Sequence, residues 1–157
     1  MTDHAPVLDF APTTVGLLRH ATEHFPDNDF IVEPDVRLTY ADADRLSRAF
    51  AKRLLLMGVT KGTRVAAKYA NSVQWVIAWL AVTRIGGFFL PLSSAYKVGE
   101  TRKCLRIGDA QFFLTPTTII GRDQGPAVEE LLGQPLDALA APLMTQDLPY
   151  LRHVVFT

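Results

Sequence analysis

The sequence predicts an α/β domain in which helices alternate with strands and cover a largely parallel sheet on both faces. Two observations predict it. Runs with apolar residues at helical spacing alternate with short β-branched or aromatic runs bounded by Gly, Pro, Asn or Asp. One helix-length run, Val73 to Ile85, is apolar almost all round, which requires burial on more than one side. At 157 residues with 48% hydrophobic and 20% charged residues, the chain can build a real core, and disorder of the whole is excluded.

From Thr13 to Phe25 the apolar residues Leu17, Leu18, Ala21 and Phe25 fall on one side at helical spacing, and Pro26, Asp27 and Asn28 stop the run. Phe30-Ile-Val and Val36-Arg-Leu-Thr flank the turn signature Glu33-Pro-Asp, so they form a short hairpin. Thr39 opens a second helix, with Asp42 at capping-box spacing. Leu46, Ala49, Phe50, Arg53, Leu54 and Met57 continue its face until Gly58 ends it. Arg64 to Tyr69 is a strand, after which Asn71 and Gln74 are placed to cap the apolar helix reciprocally. Gly86-Gly87 breaks that helix, and Phe88 to Leu92 is a strand whose Pro91 demands an end or edge position.

Between Val98 and Gly108 a further helix carries Thr101, Cys104 and Leu105 on one side and Arg102, Lys103 and Arg106 on the other. Gln111 to Thr115 is the next strand. After Thr117 the pattern weakens into a short helix around Ala127 to Leu132 and a Pro-, Ala- and Leu-containing stretch to Pro149. Leu151 to Thr157 is the last strand. No helix follows it, so it leaves an uncovered sheet edge.

Lys plus Arg and Asp plus Glu both number 16, so no net field favours nucleic acid or anionic lipid, and neither partner is expected. A single cysteine, Cys104, allows no internal disulfide and suits a reducing compartment, with the cytoplasm as default. The start Met1-Thr-Asp-His-Ala-Pro lacks the basic and apolar regions of a secretory signal. Val73 to Ile85 falls short of the ~20 residues a membrane-spanning helix needs, so no transmembrane segment is expected.

Several local patterns suggest chemistry. His20-Ala-Thr-Glu23-His24 matches H-x-x-E-H, which sets two imidazoles one turn apart beside a carboxylate and points to a zinc-dependent hydrolase. Against it, these residues lie on the flank and far side of an amphipathic helix, where solvated polar groups belong, and no third ligand stands out among Glu100, Glu129 and Glu130. Gly58-Val-Thr-Lys-Gly62-Thr-Arg is glycine-rich, but it leaves a helix and enters a strand. A phosphate loop does the reverse, so a C-cap and turn is the better reading. Arg102, Lys103 and Arg106 could meet an anion such as a CoA phosphate, although solvated charges are expected opposite an apolar side. Trp75 and Trp79 could line an acyl pocket, and core packing is the more ordinary role. Cys104 reads as a packed thiol.

Taken together, the order of segments is more specific than any one of them. Leu38-Thr-Tyr-Ala-Asp-Ala-Asp-Arg-Leu46, Gly58 to Ala67, Ala70-Asn-Ser-Val-Gln-Trp75, Trp79 to Gly87, Phe89-Leu-Pro-Leu92, Glu100, Leu105 to Thr115 and Pro149 to Val155 resemble the AMP-binding acyl-CoA synthetase family with matching spacing from about Thr13 onward. There are departures. Asp42-Ala43 stands where a Glu-Leu pair is usual, Thr101 where leucine is common, and Ser93-Ser94 where Asn-Pro or Asp-Pro is frequent. The last change is similar to synthetases of fatty or other hydrophobic acids.

The resemblance implies the incomplete N-terminal subdomain of an acyl-CoA synthetase. Residues 1–12 would be an N-terminal extension, and residues 13–157 the N-terminal portion of an AMP-binding domain that stops before the phosphate-binding loop. In intact form such an enzyme uses ATP and Mg²⁺ to join a carboxylic acid to AMP and then passes the acyl group to CoA. The resemblance places the family's phosphate-gripping, adenine-stacking and ribose-binding residues beyond Thr157. No catalytic, cofactor-binding or metal-ligating residue is therefore assigned, no cofactor is expected for this chain alone, and its partner is the remainder of the synthetase. A non-enzymatic binding module, acting through the uncovered strand edge, is the other alternative.

Overall fold

The computed structural model describes residues 9–157. The chain runs through α1 (Thr14–His24), β1 (Asp29–Val32), β2 (Arg37–Thr39), α2 (Tyr40–Leu56), β3 (Arg64–Lys68), α3 (Val73–Arg84) and β4 (Phe88–Leu92). It continues through α4 (Val98–Ile107), β5 (Phe112–Thr115), β6 (Thr118–Ile119), β7 (Arg122–Asp123), α5 (Gly125–Leu132), a 3₁₀ turn (Leu136–Ala138) and β8 (His153–Phe156). The expectation of no secretory signal and most of the expected extension, residues 1–12, fall on residues 1–8 and lie outside the described residues.

Four strands form an all-parallel sheet in the order β4-β3-β5-β8, as expected, while β1 with β2 and β6 with β7 make separate antiparallel hairpins. Alternation along the strands divides the core. Val65 and Ala67 of β3 with Phe112 and Leu114 of β5 meet Leu54 of α2 and Ala78 and Val82 of α3 on one face. Ala66 and Phe113 point the other way, onto Leu105 of α4 and Val128 and Leu131 of α5. Coverage of both faces is why β5 is buried at every position. Pro91 lies in β4, an edge strand, where its missing N–H leaves no ladder bond unmade. β8 is the other edge.

Helix α3 explains its own composition. It packs against α2, α1, β3 and β4 together, so it shows no polar face. The small residues Ala78 and Ala81, both fully buried, let it approach the sheet closely. The capping box of α2 forms in full, with Thr39 Oγ1 accepting from the Asp42 N–H and the Asp42 carboxylate accepting from the Thr39 N–H.

Several expectations are corrected. Leu17 and Phe25 are exposed, and α1 buries only Leu18 and Ala21. The buried stripe of α2 is Ala43, Ser47, Ala51 and Leu54, so Ala49 and Met57 lie off it. The cap of α3 is Ser72 rather than Asn71: its hydroxyl accepts from the Trp75 N–H, and the Glu33 carboxylate accepts from the Val73 N–H. The short β6–β7 hairpin was not expected at all. Arg102 is not simply solvated, whereas Arg106 is exposed as expected. Arg102 donates to the carbonyls of Glu130 and Leu131 in the last turn of α5, and Arg106 to that of Asp147.

Candidate functional site

The strand order creates one natural crevice. From β3 the chain moves outward to β4 through α3 on one face, and from β4 it returns past β3 to β5 through α4 on the other. The segments leaving the adjacent C-terminal ends of β3 and β5 therefore diverge, and such a switch point is where ligands enter open parallel sheets.

Lys68, the last residue of β3, stands at this point. It is 7% exposed, and its Nζ donates to the Tyr96 carbonyl at 2.8 Å. Among the described residues it belongs to no ion pair. Burial alone pushes its pKa below the usual lysine range. Beside it lies a small cavity of about 10 Å³, lined in part by Lys68, Thr101, Thr115 and Gln124. Thr101 is 3% exposed, and among the described residues its Oγ1 has no hydrogen-bond partner.

Two open clefts adjoin the strand ends. One, of about 730 Å³, shares Lys68 and Gln124 with the small cavity and is further lined by Tyr96, Lys97, Arg122, Asp123 and Glu130. The other, of about 580 Å³, is lined by Tyr69, Asn71, Trp75, Ser93, Ser94 and Ile120. Ile120 overhangs both from the tip of the β6–β7 hairpin. It is 80% exposed, with φ at 48° followed by Gly121 at 70°, two left-handed residues in a two-residue turn where Asn-Gly is the easy choice. Tyr69, buried just past β3, bonds its hydroxyl to Thr157 Oγ1 at 3.0 Å and so ties the end of β3 to that of β8. Its pKa is raised by burial, with the Thr157 bond acting the other way.

The residues singled out by sequence lie elsewhere or serve packing. His20 and His24 stack at 4.2 Å on α1, the Nδ1 of His24 lies 2.9 Å from the His20 carbonyl, and that of His20 lies 3.4 Å from Asp9. Among the described residues no three His, Cys, Asp or Glu side chains gather around a common point, so the zinc-hydrolase reading finds no support. Gly58 and Gly62, with φ of 94° and 85°, shape the turn between α2 and β3, and the Gly62 N–H donates to the Gly86 carbonyl at 2.9 Å. Trp75 lies edge-on to Phe89 at 5.5 Å, stacks with Trp79 at 6.1 Å and touches the second cleft. Cys104 packs half-buried against the α4–α5 core.

Sequence reasoning missed Lys68. The signal was available: a lysine inside Val-Ala-Ala-Lys-Tyr, a strand otherwise suited to complete burial.

Residues 18–151 match the family of AMP-binding enzymes. The chain belongs to this family. Its relatives include YngI of Bacillus subtilis (strain 168), assigned by name to the acyl-CoA synthetases, which is 29% identical over 147 residues covering 92% of this chain and 27% of YngI. Phosphinothricin tripeptide synthetase PhsC of Streptomyces viridochromogenes is 30% identical over 132 residues, covering 82% of this chain and 12% of PhsC. Among solved structures, the anthranilate CoA ligase AuaEII in complex with anthranoyl-AMP superposes with a TM-score of 0.76 at 19% identity, covering 96% of this chain and 26% of AuaEII. That likeness shows the fold, an α/β subdomain shared with adenylate-forming ligases. This AMP-binding family chain spans about a quarter or less of the length of these relatives. Among the described residues, no helix is long and apolar enough to cross a membrane.

Proposed function

We propose that the chain forms the first structural layer of an AMP-forming acid–CoA ligase, with residues 13–157 as the N-terminal portion of its AMP-binding domain and 1–12 as an extension. In the whole enzyme a carboxylic acid, fatty or otherwise hydrophobic, reacts with Mg²⁺-bound ATP to give an acyl-adenylate and pyrophosphate, and the CoA thiol then displaces AMP. A reducing, cytoplasmic setting fits the lone thiol Cys104.

The observation that carries this reading is the agreement of family match and architecture: residues 18–151 match AMP-binding enzymes, and the same span folds like part of a CoA ligase. Support for a hydrophobic acid comes from Ser93-Ser94, which line the second cleft beside Trp75. The groups brought together here are suited to scaffolding and binding rather than to nucleotide chemistry, since the only buried cation at the crevice, among the described residues, is one lysine. The rest of the synthetase is the expected partner, and the open edge of β8 is a surface on which its sheet can continue.

The purified 157-residue chain, given ATP, Mg²⁺ and a panel of carboxylic acids, should show no ATP–pyrophosphate exchange above the protein-free blank; clear exchange would overturn the scaffold reading. A product encoded by the reading frame through and past Thr157 should form an acyl-CoA from a hydrophobic acid such as octanoate. Aminoacyl-adenylate formation without transfer to CoA would instead place the chain with the peptide synthetases.

A further inference from the structure

We propose that the crevice between the C-terminal ends of β3 and β5 is an oxyanion-binding site, in which Lys68, Thr101 and Gln124 hold one oxygen of a carboxylate or phosphate group whose remainder lies in the adjoining cleft. The site is built from this chain's own residues and does not depend on the ligase reading.

The first ground is a buried charge without a counter-charge among the described residues. Lysine is almost never enclosed unless paired, because its ammonium loses hydration on burial. Lys68 is 7% exposed, and its one hydrogen-bond acceptor among the described residues is the Tyr96 carbonyl at 2.8 Å. An ammonium has three donors, so two remain for an external acceptor.

The second ground is independent. Thr101, on a different element, is 3% exposed with an Oγ1 that has no partner among the described residues, and it lines the same small cavity as Lys68. A buried hydroxyl left unsatisfied costs stability, and one acceptor placed in that cavity would serve both groups. Gln124 adds to them. Its amide nitrogen donates to the Arg122 carbonyl at 2.9 Å, which leaves a second amide proton, and it occupies the N-cap of α5, whose partial positive charge favours an anion.

Size then decides what enters. A cavity of about 10 Å³ holds one water-sized atom and no more. A whole carboxylate or phosphate cannot fit, but a single oxygen can, because Lys68, Val98, Gln124 and Ala127 are shared between this cavity and the cleft of about 730 Å³. The ligand is therefore a molecule seated in the cleft with an oxyanion head. The cleft's carboxylates do not compete for Lys68 within ion-pair distance, and that of Asp123 already accepts from the Gly125 N–H at 2.8 Å.

The test is a titration of the ¹⁵N-labelled chain with acetate and with inorganic phosphate, with chloride at matched ionic strength as the control. The Lys68 ammonium and the Thr101 and Gln124 amides are followed by NMR. Saturable shifts at all three with acetate, phosphate or both are expected. Acetate alone assigns a carboxylate head, phosphate alone a phosphoryl group. Lys68→Met keeps the aliphatic stem and should weaken binding roughly tenfold or more, the size of a lost charge-assisted hydrogen bond. Thr101→Val keeps the shape of the buried side chain and should weaken it several-fold, so the proposal stays testable if the lysine variant misfolds. It is overturned if no shift saturates, if chloride reproduces the shifts of the oxyanions, or if either variant titrates like the parent.

Discussion

Removing the charge of Asp44 tests whether the α2–α3 pair is held by electrostatics as well as by apolar contact. The Asp44 carboxylate accepts from Arg84 of α3 at 2.6 Å and from Arg48, one turn along α2, at 2.6 Å. Arg84 also donates to Ser47 Oγ at 3.1 Å, and its Nε has no partner among the described residues. The Asp44 and Arg84 side chains are only 16% and 17% exposed, so the pair is closer to a buried bridge than to a surface one. Breaking a buried pair costs ~3–5 kcal/mol and an exposed one ~0.2–1 kcal/mol. Asp44→Asn keeps an acceptor for Arg84, which places the expected loss near ~2 kcal/mol. For a domain of this size that lowers Tm by roughly 4–8 °C, measured by circular dichroism. Burial raises the Asp44 pKa, but the hydrogen bonds from Arg48 and Arg84 together with their positive charges outweigh it, and the folded carboxyl lies below its usual range. The stabilisation is thus present above the unfolded carboxylate pKa and lost as pH falls through the folded one, so parent and variant should converge in acid. A difference under about 0.5 kcal/mol at neutral pH, the scale of an ordinary surface substitution, or one that persists unchanged in acid, would refute the reasoning.

Two further substitutions probe packing and turn chemistry. Leu114→Ala empties a fully buried position in the sheet's interior strand β5 and should cost ~3 kcal/mol in urea unfolding with an unchanged m-value; a loss below about 1 kcal/mol would show that the core collapses around the gap. Ile120→Asn removes a β-branched residue from a left-handed position where it is 80% exposed and should raise stability by ~1 kcal/mol; a loss instead would mean that Ile120 makes a contact stronger than its backbone cost.

What was legible in the sequence was what local chemistry controls. Thr39 and Asp42 cap each other within one turn, Pro91 excludes an interior strand, and the apolar circumference of α3 signals burial on several sides; each was read correctly because its cause lies within a few residues. The errors arose where a distant partner decides. Ser47 is fully buried, whereas the more apolar Ala49 is exposed, because Ser47 shares the stripe of Ala43, Ala51 and Leu54, and Arg84, 37 positions away, satisfies its hydroxyl there. Arg102 looked solvated until α5 brought two carbonyls against it. The β6–β7 hairpin escaped because Ile120 occupies a turn position that turn propensities deny to a β-branched residue. At the candidate site, the resemblance indicated the fold that creates the crevice, but nothing within its motifs marked Lys68 or Thr101 as neighbours.

The contrast between Asp44 and Lys68 shows how one fold treats two enclosed charges. Asp44 lies between two helices and meets two guanidinium groups, so its charge is neutralised within the chain, and its pKa moves toward ionisation despite burial. Lys68 is more enclosed still, yet it meets one carbonyl, and its pKa moves away from ionisation. Position accounts for the difference. A charge inside a helix pair can be satisfied only by side chains that fold with it, whereas one at the switch point of a parallel sheet faces a crevice open to solutes. Among the described residues the Lys68 ammonium has one internal acceptor for three donors and the Thr101 hydroxyl has none, which weakens the unliganded chain and holds both groups ready for an acceptor that arrives from outside.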